Sequence, residues 1–184
     1  MRVDSSVLNL DRDELIARMM CTDIDTVLSL SSKCEDEIRQ IAECSYTFKK
    51  SSVKIQGDTV TLGFGNVKSL GLAKVLDGCS SAYIVAVTLG HPVDRLLRQK
   101  SVMCTIEQFS TDAVSSTLCE SLCDYVHSIL PENTTRRFSP GYGDLGLDVQ
   151  FPLLDYLDGC DIHLTESGLM IPSKSITFIA GVKE

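Results

Sequence analysis

Residues 107–130 contain neither proline nor glycine, and Val114, Leu118, Leu122, Val126 and Ile129 recur along them at helical spacing. A period near 3.6 puts those side chains on one stripe, so the spacing predicts a long helix carrying the largest apolar face of the chain. A second constraint comes from Tyr83 to Thr88, a continuous apolar run of strand length. A strand that is apolar at every position belongs in the interior of a sheet with both faces covered.

Length and composition set the class. At 184 residues, 43% of them hydrophobic, the chain is expected to form a single domain over 1–184 with a proper core, and 1–44 reads as a helical N-terminal part. The net charge of -8 argues against a nucleic-acid partner, which needs clustered Lys and Arg. The only adjacent basic pairs are Lys49-Lys50 and Arg136-Arg137. No apolar run approaches the roughly 18 residues of a membrane span. Met1 to Leu10 has no apolar segment of the signal-peptide kind, so a cytoplasmic location is expected.

The remaining elements follow from local pattern. Asp11 to Glu14 has the spacing of a helix cap, with Leu15, Ile16, Met19 and Met20 as the apolar face behind it. A second helix is expected over 25–44, with Leu28, Cys34, Ile38, Ile41 and Ala42 inward and Glu35 to Glu37 in water. Tyr46 and Phe48 alternate like a strand. Val53 and Ile55, then Val60 and Leu62, flank the turn Gln56-Gly57-Asp58 and predict a hairpin. Ser69 to Leu76 reads as a short helix closed by Gly78. Val93 to Gln99 reads as another, as does the stretch between Pro152 and Gly159. Ile162 to Thr165 and Ile176 to Val182 read as late strands, and 131–146 as a loop. The fold class expected is α+β: one domain with a bent, mostly antiparallel sheet flanked by helices.

Eight cysteines invite a chemical reading, and none forms a CxxC pair. Cys119, Cys123 and His127 fall at i, i+4 and i+8 on the long helix, a set compatible with a metal. No fourth ligand is evident, and the two cysteines flank the Leu118/Leu122 stripe. The expectation is therefore no metal and buried, reduced thiols. A thiol or metal protein built on those three residues is kept as an alternative. The chain also lacks a nucleophile–base pair, a P-loop and a dinucleotide glycine motif, so no catalytic residue is assigned.

The remaining motif is Arg137-Phe138-Ser139-Pro140-Gly141-Tyr142-Gly143-Asp144, followed later by Leu164-Thr165-Glu166-Ser167. Pro-Gly is a turn signal. An arginine three residues before it offers a planar two-pronged clamp for a carboxylate. The pairing of RFSPGYGD with LTES and IPSKS resembles the activation domain of cobalamin-dependent methionine synthase, most clearly over about residues 115 to 180. Members of that family bind S-adenosylmethionine and present it to an oxidised corrinoid for reductive methylation. The resemblance implies that Arg137 grips the ligand's carboxylate. It further implies that Ser139, Pro140, Gly141 and Tyr142 line its adenosine and that Glu120, two turns before His127, meets its amino group. Glu166 and Pro172 to Ser175 fall in the wall of the same sheet edge, and Arg136 has no family counterpart.

The chain departs from the family after the turn, where Gly143-Asp144 replaces a Pro-Ala-Cys-Pro extension. The family's further ligand-contacting tyrosine has no match before Glu184. No D-x-H-x-x-G cobalamin signature occurs. The resemblance thus implies a shortened, freestanding activation domain, an accessory component of a methyltransferase. Its partners would be a corrinoid-bearing methionine synthase that lacks its own activation domain and a small redox protein as electron donor. A partner- or corrinoid-binding scaffold without ligand affinity is the other alternative.

Overall fold

A computed structural model describes residues 1–20, 23–103 and 105–183. Among these residues six α-helices and eight strands run in the order α1 (Arg12–Met19), α2 (Ile24–Ile41), β1 (Ser45–Ser52), β2 (Lys54–Gln56), β3 (Thr59–Leu62), β4 (Gly65–Lys68), α3 (Leu70–Val75), β5 (Ser81–Thr88), α4 (His91–Met103), α5 (Thr105–Ser128), α6 (Gln150–Leu157), β6 (His163–Leu164), β7 (Met170–Ile171) and β8 (Ser175–Gly181). The fold is α+β and every strand pairing is antiparallel, as expected. The strands divide into three ladders: a main sheet ordered β1-β5-β8, a meander β2-β3-β4, and the pair β6-β7. No helix among the described residues is long and apolar enough to cross a membrane.

The apolar run of β5 has the physical cause that its composition requires. Tyr83, Val85 and Val87 point into a core shared with α1, α2 and α5. Ala82, Ile84 and Ala86 point into a second core closed by the meander, α3 and α6. With β1 on one side and β8 on the other, β5 is buried on both faces and both edges. β8 behaves the same way: Phe178 and Ala180 enter the first core and Ile179 the second.

The long helix runs from Thr105 to Ser128, and Val114, Leu118, Leu122 and Val126 are all essentially inaccessible. Ile129, expected on the same face, lies past the helix end and is exposed. Apolar burial is not confined to one stripe. Ala113, Cys119 and Cys123 are buried too, because α1, α2 and α4 pack on α5 from one side and the main sheet from the other.

Several local expectations are corrected. In α1 the apolar face stops at Met19; Met20 takes a left-handed conformation (φ 49°) as the C-cap and is 83% exposed. Asp11 caps the helix through the N–H groups of Asp13 and Glu14, while Glu14 itself turns to Arg18. In α2 Cys34 and Ile38 are buried as expected, joined by Val27 and Ser31, whereas Leu28 and Ala42 are only half-buried and Ile41 is exposed. Glu35 and Glu37 are half-buried, and both enter ion pairs, with Arg39 and Lys100. Lys100 of α4 also meets Glu107 at 2.9 Å, which ties α2, α4 and α5 together and pushes its pKa up. α4 begins two residues earlier than expected, at His91, where Pro92 fits the first turn. Residues 162–165 supply only the two-residue strand β6, which pairs with β7 outside the main sheet.

Ile84 tests the double burial of β5. Ile84→Ala should lower unfolding free energy by about 2–5 kcal/mol, the usual cost of such a deletion in a closed core. Urea denaturation reads it directly, and a loss well under 1 kcal/mol would mean that the second core does not close on β5.

Candidate functional site

The free edge of β8 is covered by residues 133–138, which the sequence presents only as loop. Phe138 and Ile179 exchange both backbone hydrogen bonds, at 2.9 and 2.8 Å. Thr135 N–H donates to the Gly181 carbonyl at 2.7 Å, and Lys183 N–H to the Asn133 carbonyl at 2.9 Å. Successive side chains in an extended segment point to opposite faces. Phe138 therefore enters the second core, and Arg137 points the other way, toward α5.

Arg137 meets two carboxylates there. Its Nη2 lies 2.9 Å from Asp124 Oδ1 and 3.3 Å from Glu120 Oε2. The guanidinium carbon also stands 5.7 Å from the centroid of the buried Phe178 ring, a cation–π contact. Two of the residues that the sequence singles out, Arg137 and Glu120, are thus neighbours, each about one-quarter exposed. Arg136, in contrast, is exposed and makes no side-chain hydrogen bond or ion pair among the described residues.

Glu120 belongs to a polar row on α5. Asp112, Ser116, Glu120 and Asp124 follow at four-residue intervals, the spacing that stacks side chains along one helix face. Lys174 docks on its first half, with Nζ 2.7 Å from Asp112 Oδ1 and 2.9 Å from Ser116 Oγ. Arg137 docks on the second half. A cavity of about 180 Å³ opens beside Glu120, with Arg18, Ser173, Lys174 and Ile176 in its wall. The segment before β8 is held in place by Asp94, whose carboxylate accepts from Ser173 N–H (2.8 Å) and Ser173 Oγ (2.8 Å).

The Pro-Gly turn follows directly on Arg137. Pro140 is buried, Tyr142 is 57% exposed, and Gly141 has φ +88°, a conformation that favours glycine. Tyr142 N–H donates to Ser139 O at 3.1 Å and Gly141 N–H to Leu145 O at 2.8 Å, closing the turn. Asp144 anchors it. The carboxylate accepts from Ser69 Oγ (2.5 Å), Leu70 N–H (2.6 Å) and Gly71 N–H (3.1 Å), at the N-terminus of α3. The Ser69 hydroxyl above all, helped by those N–H groups, holds its pKa below the ordinary 3.8. Gly71 allows the approach: a Cβ there would stand 2.8 Å from the Phe138 ring. Sequence shows Gly143-Asp144 only as a departure from the family pattern. The contacts that give Asp144 its role span more than 70 residues.

Other predicted residues lie apart. Glu166 is exposed at the tip of the β6–β7 hairpin, held in shape by Thr165 through Leu169 N–H, and has no hydrogen bond or ion pair to Arg137 or Glu120. Cys119 and Cys123 are buried in the first core, and burial pushes the Cys119 thiol up to about 12 and the Cys123 thiol well above its ordinary value. His127 Nε2 is taken by Thr134 Oγ1 (2.8 Å) and Thr135 O (3.1 Å), so it ties α5 to the segment bearing Arg137. Among the described residues no group of three His, Cys, Asp or Glu side chains is placed to hold a metal.

No protein-family model matches this sequence, and no curated protein matches it. A solved structure does: a crystal structure of the MetH reactivation domain bound to AdoHcy, with a TM-score of 0.75 and 12% sequence identity, the alignment covering 99% of this chain and 77% of that one. This chain has the fold of the MetH reactivation domain. At that identity the likeness extends to the backbone alone. Chemically the arrangement sets one guanidinium against two carboxylates, next in sequence to a glycine turn with exposed backbone, and there is no nucleophile–base pair among these residues.

Asp144 gives the Pro-Gly turn a pH signature. A carboxyl with a depressed folded pKa stabilises the fold above its unfolded value near 3.8, and that contribution is lost as pH falls through the folded value. Asp144→Asn should therefore lower the melting temperature at neutral pH, and the gap to the parent should close as pH drops below about 3.8. A gap that persists unchanged to pH 2 would mean that the charge is not what holds the turn.

Proposed function

We propose that this chain binds S-adenosylmethionine and supports reductive methylation of a corrinoid carried by a separate methionine synthase. The observation carrying this reading is the meeting of Arg137 and Glu120 beside the Ser139–Tyr142 turn, on a fold whose solved neighbour is described with AdoHcy bound. An amino-acid group carries one carboxylate and one ammonium. Arg137 supplies the fork for the first and Glu120 the counter-charge for the second. The exposed backbone and ring at Gly141 and Tyr142 lie next in sequence, where the adenosine would rest.

The chemistry needs no acid, base or nucleophile from this chain. One electron from a small redox protein takes the corrinoid cobalt from Co(II) to Co(I). The sulfonium methyl then passes to cobalt, and the carbon–sulfur electron pair stays with sulfur to leave S-adenosylhomocysteine. The contribution of the chain is to hold the methyl donor at the face where the partner docks, and positioning of this kind can be worth several kcal/mol. Cobalamin therefore belongs to the partner, and the site is built in a cytoplasmic accessory protein.

Calorimetry with S-adenosylmethionine tests the binding step. Arg137→Ala should weaken binding by about 1.5–3 kcal/mol, roughly 10- to 150-fold, and Arg136→Ala far less. Equal losses at both positions would refute the role of Arg137. The functional step is tested in a mixture of this protein, an electron source, S-adenosylmethionine and a corrinoid-loaded methionine synthase without its own activation domain. Conversion of Co(II) to methylcobalt, followed in the corrin absorption spectrum, should accelerate and should slow again with Arg137→Ala. If the protein makes no difference with several such synthases, a scaffold role replaces this one.

A further inference from the structure

The guanidinium of Arg137 can offer a carboxylate two bidentate forks, Nε with Nη2 or Nη1 with Nη2. Nη2 belongs to both. That nitrogen is the one engaged in the structure, by Asp124 at 2.9 Å and Glu120 at 3.3 Å. Nε and Nη1 have no hydrogen-bond partner among the described residues. The hydrogen bond from Nη2 goes to Glu120, and Asp124 stands against the same nitrogen as an ion pair, so a two-pronged grip by a ligand carboxylate competes with the protein's own carboxylates at Nη2.

The two differ in how firmly they are placed. Glu120 is 27% exposed, beside the cavity wall formed by Ser173, Lys174 and Ile176. Asp124 is 71% exposed, one turn farther along α5, so water can solvate it once released. The shorter contact therefore comes from the carboxylate that is easier to displace. Glu120 remains as the counter-charge for an ammonium group.

We infer that Asp124 sets the ligand affinity and selectivity of this site: it pairs with Arg137 Nη2, a nitrogen common to both forks, and is displaced by the carboxylate of the incoming zwitterion. The inference rests on the proposed binding of S-adenosylmethionine. It adds that the site discriminates by the carboxylate, since only a ligand bearing one exchanges with Asp124. A ligand with the adenosyl and amino groups alone leaves the Arg137–Asp124 contact intact.

The test uses calorimetry on the parent, Asp124→Asn and Asp124→Glu, each checked for folding by circular dichroism, with S-adenosylmethionine and its decarboxylated analogue as probes. Asp124→Asn should bind S-adenosylmethionine about two- to fivefold more tightly, the range expected from removing a competing exposed ion pair. The decarboxylated analogue should show no change, and Asp124→Glu should return to the parent value for both. Tighter binding of both probes, or unchanged or weaker binding of S-adenosylmethionine by Asp124→Asn, overturns the role of Asp124 while leaving the proposed function standing. Binding by the variant but not by the parent supports both. Absence of binding by parent and variant at millimolar ligand removes the proposed function and this inference together.

Discussion

The backbone pairing of residues 133–138 with the free edge of β8 is the constraint on which the site depends. Main-chain hydrogen bonds fix the segment's register, and register fixes which side chain faces which way. Phe138 goes into the second core, where it packs against Gly71 and helps to seat the turn on α3. Arg137, its neighbour, is delivered to the opposite face, against Phe178 and the acidic row of α5. A slip of one residue would exchange the two, burying a guanidinium among Leu72, Ile179 and Leu153 and leaving the α5 carboxylates without their cation. A charge in that position has no counter-ion, and burial of an unpaired charge is among the most costly events in a protein interior. His127 reinforces the same register from the end of α5 through Thr134 and Thr135.

α5 is where the demands of core and site compete. One side of the helix carries Val114, Leu118, Leu122 and Val126 into the first core. The polar row Asp112, Ser116, Glu120 and Asp124 runs beside it, and like charges at four-residue spacing repel. The repulsion is offset from outside the helix, by Lys174 at one end and Arg137 at the other. Both cations come from chain segments that flank β8. The helix is therefore finished as an electrostatic object only after the sheet edge has formed. Its contacts are partly exposed, so each is worth little in stability. Their value lies in geometry, since they leave a cationic fork and an anionic group side by side at the rim of a rigid core.

Legibility in the sequence follows the same division. β5 and α5 are readable because burial on every side leaves continuous or periodic apolar residues, a local signature of a global position. The Pro-Gly turn and Arg137 are readable because turn chemistry and a family resemblance both mark them. The cover of β8 by 133–138 is not readable: Asn133-Thr134-Thr135-Arg136 has no alternation to advertise a strand, and the β8 backbone alone supplies the pairing. Asp144 and Asp124 are hidden for a similar reason. Asp144 acts on Ser69 and Gly71, far away in sequence, and appears locally as an ordinary turn residue. Asp124 lies one turn from Glu120, and the spacing alone could have nominated it, but nothing local says that a single arginine would serve both. Conversely, Cys119, Cys123 and His127 make an attractive spacing that the packing spends elsewhere, the thiols on the core and the imidazole on Thr134 and Thr135.

The arrangement suits a protein that contributes geometry and no reactive group. Arg137 is held by the paired backbone of 133–138, by the Phe178 ring and by Glu120 of α5. On the proposed reading the group that a ligand displaces is Asp124, which is well solvated. Exchange of one exposed carboxylate for another requires no opening of either core, so binding can occur without the cost of local unfolding. On the proposed reading the same exchange would limit affinity. The site gains only the difference between the ligand's two-pronged contact and the contact it replaces, together with whatever the adenosyl group finds on the exposed turn. A carrier that must pass its methyl group to a docked partner and then release the spent ligand has use for such a modest grip. Transfer changes the sulfur from sulfonium to thioether, while the carboxylate and ammonium recognised by Arg137 and Glu120 stay the same. On the proposed reading those two residues would hold donor and product alike, and release of the product would fall to the solvent-exposed side of the site, where Asp124 competes for Arg137.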